Sequence, residues 1–208
     1  MEPLVQYQDN ILRTIDNSFR RYLHSTINWD QRMIGIKGPR GSGKTTLILQ
    51  YMKYDLKELA PRALYITADH TWFYSHTLLD TAMDWYRQGG RILLIDEVHK
   101  YPQWSRELKN IYDGLPEMRV VFSASSALDI YRGEADLSRR AISYSLAGLS
   151  FREYLAFAQG VTFDRFKYLT SVYYFAEGQD VVGPGDNFQD LLENSLMVPH
   201  ISLSNTKN

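Results

Sequence analysis

The chain has 208 residues, 44% of them hydrophobic and 23% charged, with a formal net charge of -1 and no cysteine. A chain of this length hides roughly 70% of its unfolded surface and needs no disulfide or metal staple, and its composition excludes disordered and fibrous classes. Lack of cysteine removes thiol catalysis and thiolate metal centres, while the balanced charge is not the electrostatic footprint of a strong nucleic-acid binder, leaving only a local basic patch open.

Met1, Glu2 and Pro3 open the chain without the features of a secretory signal, and no apolar run approaches the roughly 20 residues that cross a bilayer. The expectation is a soluble, cytoplasmic protein with no membrane partner. From Leu4 to Ile27 apolar residues recur every three or four positions, which predicts an amphipathic helix with Arg13, Asp16, Asn17, Arg20 and Arg21 on its solvated face. Short apolar runs follow at Met33 to Ile36, Ala63 to Ile66, Ile92 to Ile95 and Val120 to Phe122, with a further strand candidate at Ile142 to Leu146. Continuous runs of this kind fit parallel strands buried on both faces. Thr45 to Leu59, Thr77 to Gln88 and Gln103 to Tyr112 are long enough for crossover helices, and Phe151 to Ala158 also reads as helical. Beyond Gly160 the pattern loosens around Gly178, Gly183, Pro184 and Gly185, with aromatics such as Phe163, Tyr173 and Phe175, and ends in a polar run. The predicted fold is α/β: a doubly wound parallel sheet of about five strands, with an N-terminal helix and a small C-terminal helical segment. Its expected divisions are residues 1–30, a core over 31–150, and an extension over 151–208.

Gly38-Pro39-Arg40-Gly41-Ser42-Gly43-Lys44-Thr45 fits the phosphate-loop pattern GxxxxGK[ST], between a predicted strand and a predicted helix. Small residues let successive backbone N–H groups curl around phosphate oxygens at the positive end of a helix. Lys44 is placed to reach the β- and γ-phosphates, Thr45 to offer its hydroxyl to Mg²⁺, and Thr46 to continue the phosphate-binding run. Ile92-Leu93-Leu94-Ile95-Asp96-Glu97 then carries four apolar residues into two acids, the Walker B pattern. A buried strand delivers such acids to the rim where open α/β sheets bind ligands. Asp96 is expected to hold Mg²⁺ and Glu97 to polarise the attacking water. The bland alternative is a pair of acids favouring a helix N-terminus.

These features resemble the P-loop ATPase division that hydrolyses with a Walker B glutamate. The resemblance implies that the Val120 to Phe122 strand sits between the P-loop and Walker B strands. It also implies a polar sensor at that strand's end, for which Ser123 is the first choice and Ser125 and Ser126 are alternatives. Hydroxyls there can also simply start the next helix. More closely, Asp96 to Trp104, Phe122 to Ser126, Asp136 to Arg140 and Gly148 to Leu155 resemble prokaryotic AAA-type ATPases that carry an uncharacterised C-terminal domain. The likeness runs over Met33 to Leu155. It departs at Ala124, where the family has glycine, and family members continue well past 208 residues. The extension over 151–208 is accordingly expected to be a helical extension or the start of a truncated C-terminal domain.

The resemblance implies ATP and Mg²⁺ as cofactors and Arg140, or its neighbour Arg139, as an arginine presented to a neighbouring subunit. Surface ion pairing is the alternative for both. It also implies a protein partner or C-terminal effector domain and a homo-oligomer, and it leaves nucleic acid open. His99 reads as a helix-start or partner-contact residue, and Trp72, Trp85 and Trp104 read as packing. No guanine-reading motif is present in the sequence. The expected function is Mg-dependent ATP hydrolysis; a nucleotide-gated binding switch and a P-loop small-molecule kinase are the alternatives.

Overall fold

The computed structural model describes residues 1–125, 137 and 139–160. Ser126, Asp136, Ser138 and the aromatic segment beyond Gly160 lie outside the described residues. The chain divides into two compact units, Met1–Gly148 and Leu149–Asn208.

The first unit is built on five parallel strands: β1 (Met33–Lys37), β2 (Ala63–Thr67), β3 (Ile92–Asp96), β4 (Arg119–Ala124) and β5 (Ile142–Ser145), in the spatial order β2-β3-β4-β1-β5. β4 therefore stands between β1 and β3, as the resemblance implied. The apolar runs of β1 to β4 are continuous because both sheet faces are covered there, whereas the edge strand β5 is largely exposed. Along β3, Leu93 and Ile95 enter one core cluster with Leu78, Ala82, Leu108 and Ile111, while Ile92 and Leu94 enter the other with Leu47, Ile48 and Met52. Truncating one of these buried leucines, isoleucines or Met52 to alanine costs about 2–5 kcal/mol.

Helix α1 (Glu2–Thr14) closes the β2 edge: buried Gln8 accepts the Tyr65 N–H through Oε1 at 2.7 Å, satisfying a backbone donor that an edge strand would leave open. The continuous helix expected from Leu4 to Ile27 is corrected to two. Ile15 is extended, with ψ 126°, and a short α2 (Leu23–Thr26) follows. The cause is local competition. Asp16 Oδ1 accepts both the Ser18 N–H at 2.9 Å and the Ser18 hydroxyl at 2.7 Å, a turn that draws the backbone out of the helix.

The helix expected over Thr45 to Leu59 is also shorter. α3 (Lys44–Gln50) widens into a π-helical turn (Tyr51–Asp55), and a 3-10 stretch (Lys57–Arg62) containing Pro61 leads into β2. α4 (Leu78–Arg87) starts at Thr77, whose hydroxyl accepts the Asp80 N–H at 2.9 Å, and α5 (Trp104–Gly114) leads into β4. In the second unit, α6 (Phe151–Gln159) has a capping box in which Ser150 and Glu153 satisfy each other's N–H groups. No helix among the described residues is long and apolar enough to cross a membrane.

Candidate functional site

The carboxyl ends of β1, β3 and β4 open onto a cleft of about 270 Å³ lined by Arg40, Gly41, Gly43, Lys44, Thr45, Thr46, Glu97 and Ser125. Its floor is the loop from Gly38 to Gly43, held between β1 and α3. Gly38 passes so close to the Leu146 carbonyl that a Cβ there would lie 2.1 Å from the oxygen. Gly43 has φ 90°, a left-handed conformation that other residues adopt only with strain. The loop is thereby turned onto the amino end of α3, where Leu47 N–H already bonds Gly43 O at 2.9 Å.

Lys44 is only 6% exposed, and its ammonium donates to Gly38 O at 2.9 Å and Pro39 O at 2.8 Å. Burial pulls its pKa below the usual lysine value, against the opposing pull of Asp96 and Glu97. An anion in the cleft would stabilise the charged ammonium in place of the hydration that burial removes.

Asp96 accepts from four donors. Its Oδ2 takes the Thr45 hydroxyl at 2.5 Å and the Tyr65 hydroxyl at 3.1 Å; its Oδ1 takes the Ser123 hydroxyl and the Glu97 N–H, the latter at 3.1 Å. The strand registers explain the convergence. Thr67 faces Asp96 and Tyr65 stands two residues before it on the same face, while Ser123 follows the Ile95–Phe122 pair on the other side. Buried beside this carboxylate, Tyr65 has its phenol pKa driven upward, first by desolvation and then by Asp96. Tyr65 escapes a sequence reading because a tyrosine in an apolar run looks like any other strand residue.

Glu97 also has a left-handed backbone, with φ 52° and ψ 41°, and it lines the cleft. This conformation costs a non-glycine residue about 1 kcal/mol. It is held by the Glu97 N–H, shared between Asp96 Oδ1 and Ser123 Oγ, the latter at 3.0 Å.

Ser123, the first choice for the strand-end polar residue, is fully buried beneath the two acids, whereas Ser125 lines the cleft. His99 ties the β4 exit to the acid loop, its Nδ1 accepting the Ser125 N–H at 3.4 Å. Arg140 lies elsewhere. Its Nε and Nη2 each meet the Asp113 carboxylate at 2.9 Å, a pairing that holds the Asp113 pKa below the usual carboxylate range. Arg140 precedes β5, whose Ile142 pairs with Ile34 near the start of β1, whereas the phosphate loop leaves β1 after Lys37, so Arg140 stands at the amino end of the strands and the loop at their carboxyl end. Arg140 thus stands away from the cleft of its own chain.

The oxygen donors at Thr45 and Asp96 suit a hard divalent cation. Among the described residues no group of three or more acidic or histidine side chains forms an all-protein metal cage. A hydroxyl and a carboxylate fit Mg²⁺, which is held by one or two protein oxygens together with phosphate and water.

Residues 30–155 match the family model described as an AAA domain. No curated protein matches the chain significantly in sequence. The ADP complex of Hsp104 from S. cerevisiae is similar with a TM-score of 0.51 at 18% identity, over 74% of this chain and 26% of that one. C. elegans PCH-2 gives 0.46 at 16% identity, over 91% and 51% of the two chains. AMPPCP-bound DnaA from Aquifex aeolicus gives 0.42 at 16% identity, over 74% and 53%. The chain thus spans between about a quarter and half of the length of these proteins, and the likeness to the Hsp104 complex at 18% identity speaks of the fold alone. The family match covers more than half of the chain, and the sheet order and phosphate loop agree with it: this protein belongs to the AAA domain family.

Proposed function

We propose that the chain binds Mg·ATP in this cleft and hydrolyses it, as an AAA-type module coupled to a protein partner or to an effector domain. The observation that carries this reading is the 2.5 Å bond from the Thr45 hydroxyl to the Asp96 carboxylate, which joins the end of the phosphate loop to the end of β3 beside Lys44 and Glu97.

In this reading the backbone from Gly38 to Thr46 receives the phosphates, and Lys44 exchanges its bonds to Gly38 O and Pro39 O for phosphate oxygens. Thr45 and Asp96 would hold Mg²⁺, which when bound neutralises charge on the β- and γ-phosphates. Glu97, facing the cleft, orients a water and takes its proton as the water oxygen bonds the γ-phosphorus. The bond from that phosphorus to the bridging oxygen breaks, leaving ADP and inorganic phosphate. Ser125 can contact the γ-phosphate side, while Ser123 acts from beneath by fixing Asp96 and Glu97. The core over 31–150 carries this chemistry, with residues 1–30 bracing it and residues 151–208 leading toward the effector.

The placement of Arg140 supports a second, related reading. Because it is held by Asp113 away from its own cleft, a lone chain can bind nucleotide yet turn it over slowly, as a switch, until assembly brings Arg140 of one copy to the cleft of another. The test is Glu97→Gln: this variant is expected to keep nucleotide affinity and lose turnover, and retained turnover would assign the base elsewhere.

A further inference from the structure

The segment between α1 and α2 precedes the residues that match the family, yet it is fastened to the helical run that follows the phosphate loop. Gln50 Nε2 donates to Asp16 O at 3.1 Å and to Phe19 O at 2.8 Å. Lys53 Nζ donates to Leu12 O at 2.7 Å and Ile15 O at 2.5 Å, and the Tyr54 hydroxyl reaches Ile15 O at 3.0 Å. Arg20 completes the attachment with an ion pair to Asp55 at 3.0 Å. The π-helical turn is what brings Lys53, Tyr54 and Asp55 to the segment together.

The next residue, Arg21, is carried under the phosphate loop. It is only 6% exposed. Its Nη1 donates to Ser42 O, and its Nη2 donates to Ala147 O and Gly148 O at 2.9 Å each. The same Nη1 lies 3.8 Å from where a Cβ on Gly43 would stand. Gly43 lines the cleft, while the Arg21 guanidinium meets the loop at the Ser42 carbonyl and the exit of β5 at Ala147 and Gly148.

We propose that Arg21 is a positioning residue for nucleotide phosphate: by holding the Ser42 carbonyl, it turns the Gly43 N–H toward the cleft. A trans peptide unit is planar, with its C=O and N–H pointing in opposite directions, so fixing one aims the other. Glycine at φ 90° offers little steric resistance to rotation of that peptide, and the loop by itself selects the orientation weakly. A cation on the carbonyl oxygen selects it and also polarises the peptide, making the opposite N–H a stronger donor to an anion. Through Ala147 and Gly148 the same guanidinium ties the loop to the exit of β5.

This inference rests on the nucleotide-binding reading, and one experiment separates the two. Mg·ADP carrying a fluorescent ribose label is titrated against the full chain, Arg21→Ala and Arg21→Lys, and the Gly43 amide proton is followed by NMR with unlabelled Mg·ADP. Arg21→Ala is expected to weaken ADP binding at least tenfold, and Arg21→Lys, which keeps the charge but cannot span three carbonyls, to fall between. At saturating ADP the Gly43 amide is expected to move far downfield in the unaltered chain and much less in Arg21→Ala, a difference that general loosening of the fold does not produce. Should Arg21→Ala fail to fold, the comparison rests on Arg21→Lys with the same two readouts. Affinity within twofold of the unaltered chain together with the same Gly43 shift, whatever the change in melting temperature, overturns the inference alone. Absence of ADP binding by the unaltered chain overturns both this inference and the nucleotide reading.

Discussion

Replacing Ser123 by alanine tests how the acid pair is held. Its buried hydroxyl donates to Asp96 Oδ1 and accepts the Glu97 N–H at 3.0 Å. A hydrogen bond to a charged group contributes about 1.5–3 kcal/mol. The Glu97 N–H keeps Asp96 Oδ1 at 3.1 Å as a partner, so the second bond is only partly lost. The expected loss of stability is about 2 kcal/mol, which lowers the melting temperature by roughly 4–8 °C for a domain of this size. Glu97 also loses one of the two bonds holding its left-handed backbone, and each 1.4 kcal/mol of lost placement lowers the rate about tenfold. Turnover should therefore fall about tenfold or more while nucleotide affinity changes little. Thermal melts and steady-state phosphate release measure the two effects, with Ser125→Ala, on the cleft surface, as a comparison expected to melt normally. A Ser123→Ala chain that melts within 1 °C of the unaltered protein and turns over at full rate would refute the anchoring role.

Three other outcomes follow from neighbouring residues. Tyr65→Phe removes one donor from Asp96 Oδ2 while Thr45 remains, so it is expected to cost about 1–2 kcal/mol in a thermal melt and leave nucleotide affinity within a few-fold. His24 has its pKa lowered mainly by burial, with Arg20 adding to the effect and Asp55 opposing it. The unfolded chain therefore takes up this proton near pH 6.5 and the folded chain only at lower pH. Stability should fall as pH drops through the window just below 6.5, and His24→Gln should flatten that part of the profile of melting temperature against pH. Arg140→Ala should abolish any rise of turnover per subunit with protein concentration, leave nucleotide affinity intact and melt almost normally, since exposed ion pairs contribute about 0–1 kcal/mol.

Strands β1 to β4 were legible because burial on both faces leaves unbroken apolar runs, and Leu93 and Leu94 sit in opposite core clusters without any polar position between them. The phosphate loop and the Asp96–Glu97 pair were legible because their chemistry depends on residues adjacent in sequence. What was not legible depends on pairing between distant segments. Tyr65 reaches Asp96 only through the register of β2 against β3, and Gln8 matters only because α1 covers the β2 edge. Arg21 fell on the solvated face of a helix that the apolar spacing carried through to Ile27. The Asp16–Ser18 turn breaks that helix, and the break carries Arg21 inward beneath the phosphate loop. Periodicity alone could not register the Asp16–Ser18 turn against nine well-spaced apolar positions from Leu4 to Ile27.

Equilibrium titration of Mg·ATP against the full chain and against Lys44→Ala tests the central claim most directly. Lys44 is the buried ammonium poised over the cleft, so the unaltered chain is expected to bind with saturable one-to-one stoichiometry and the variant to bind at least a hundredfold more weakly, with its fold intact by circular dichroism. Equal binding by both chains, or no saturable binding by either, would contradict the assignment of this cleft as a nucleotide site.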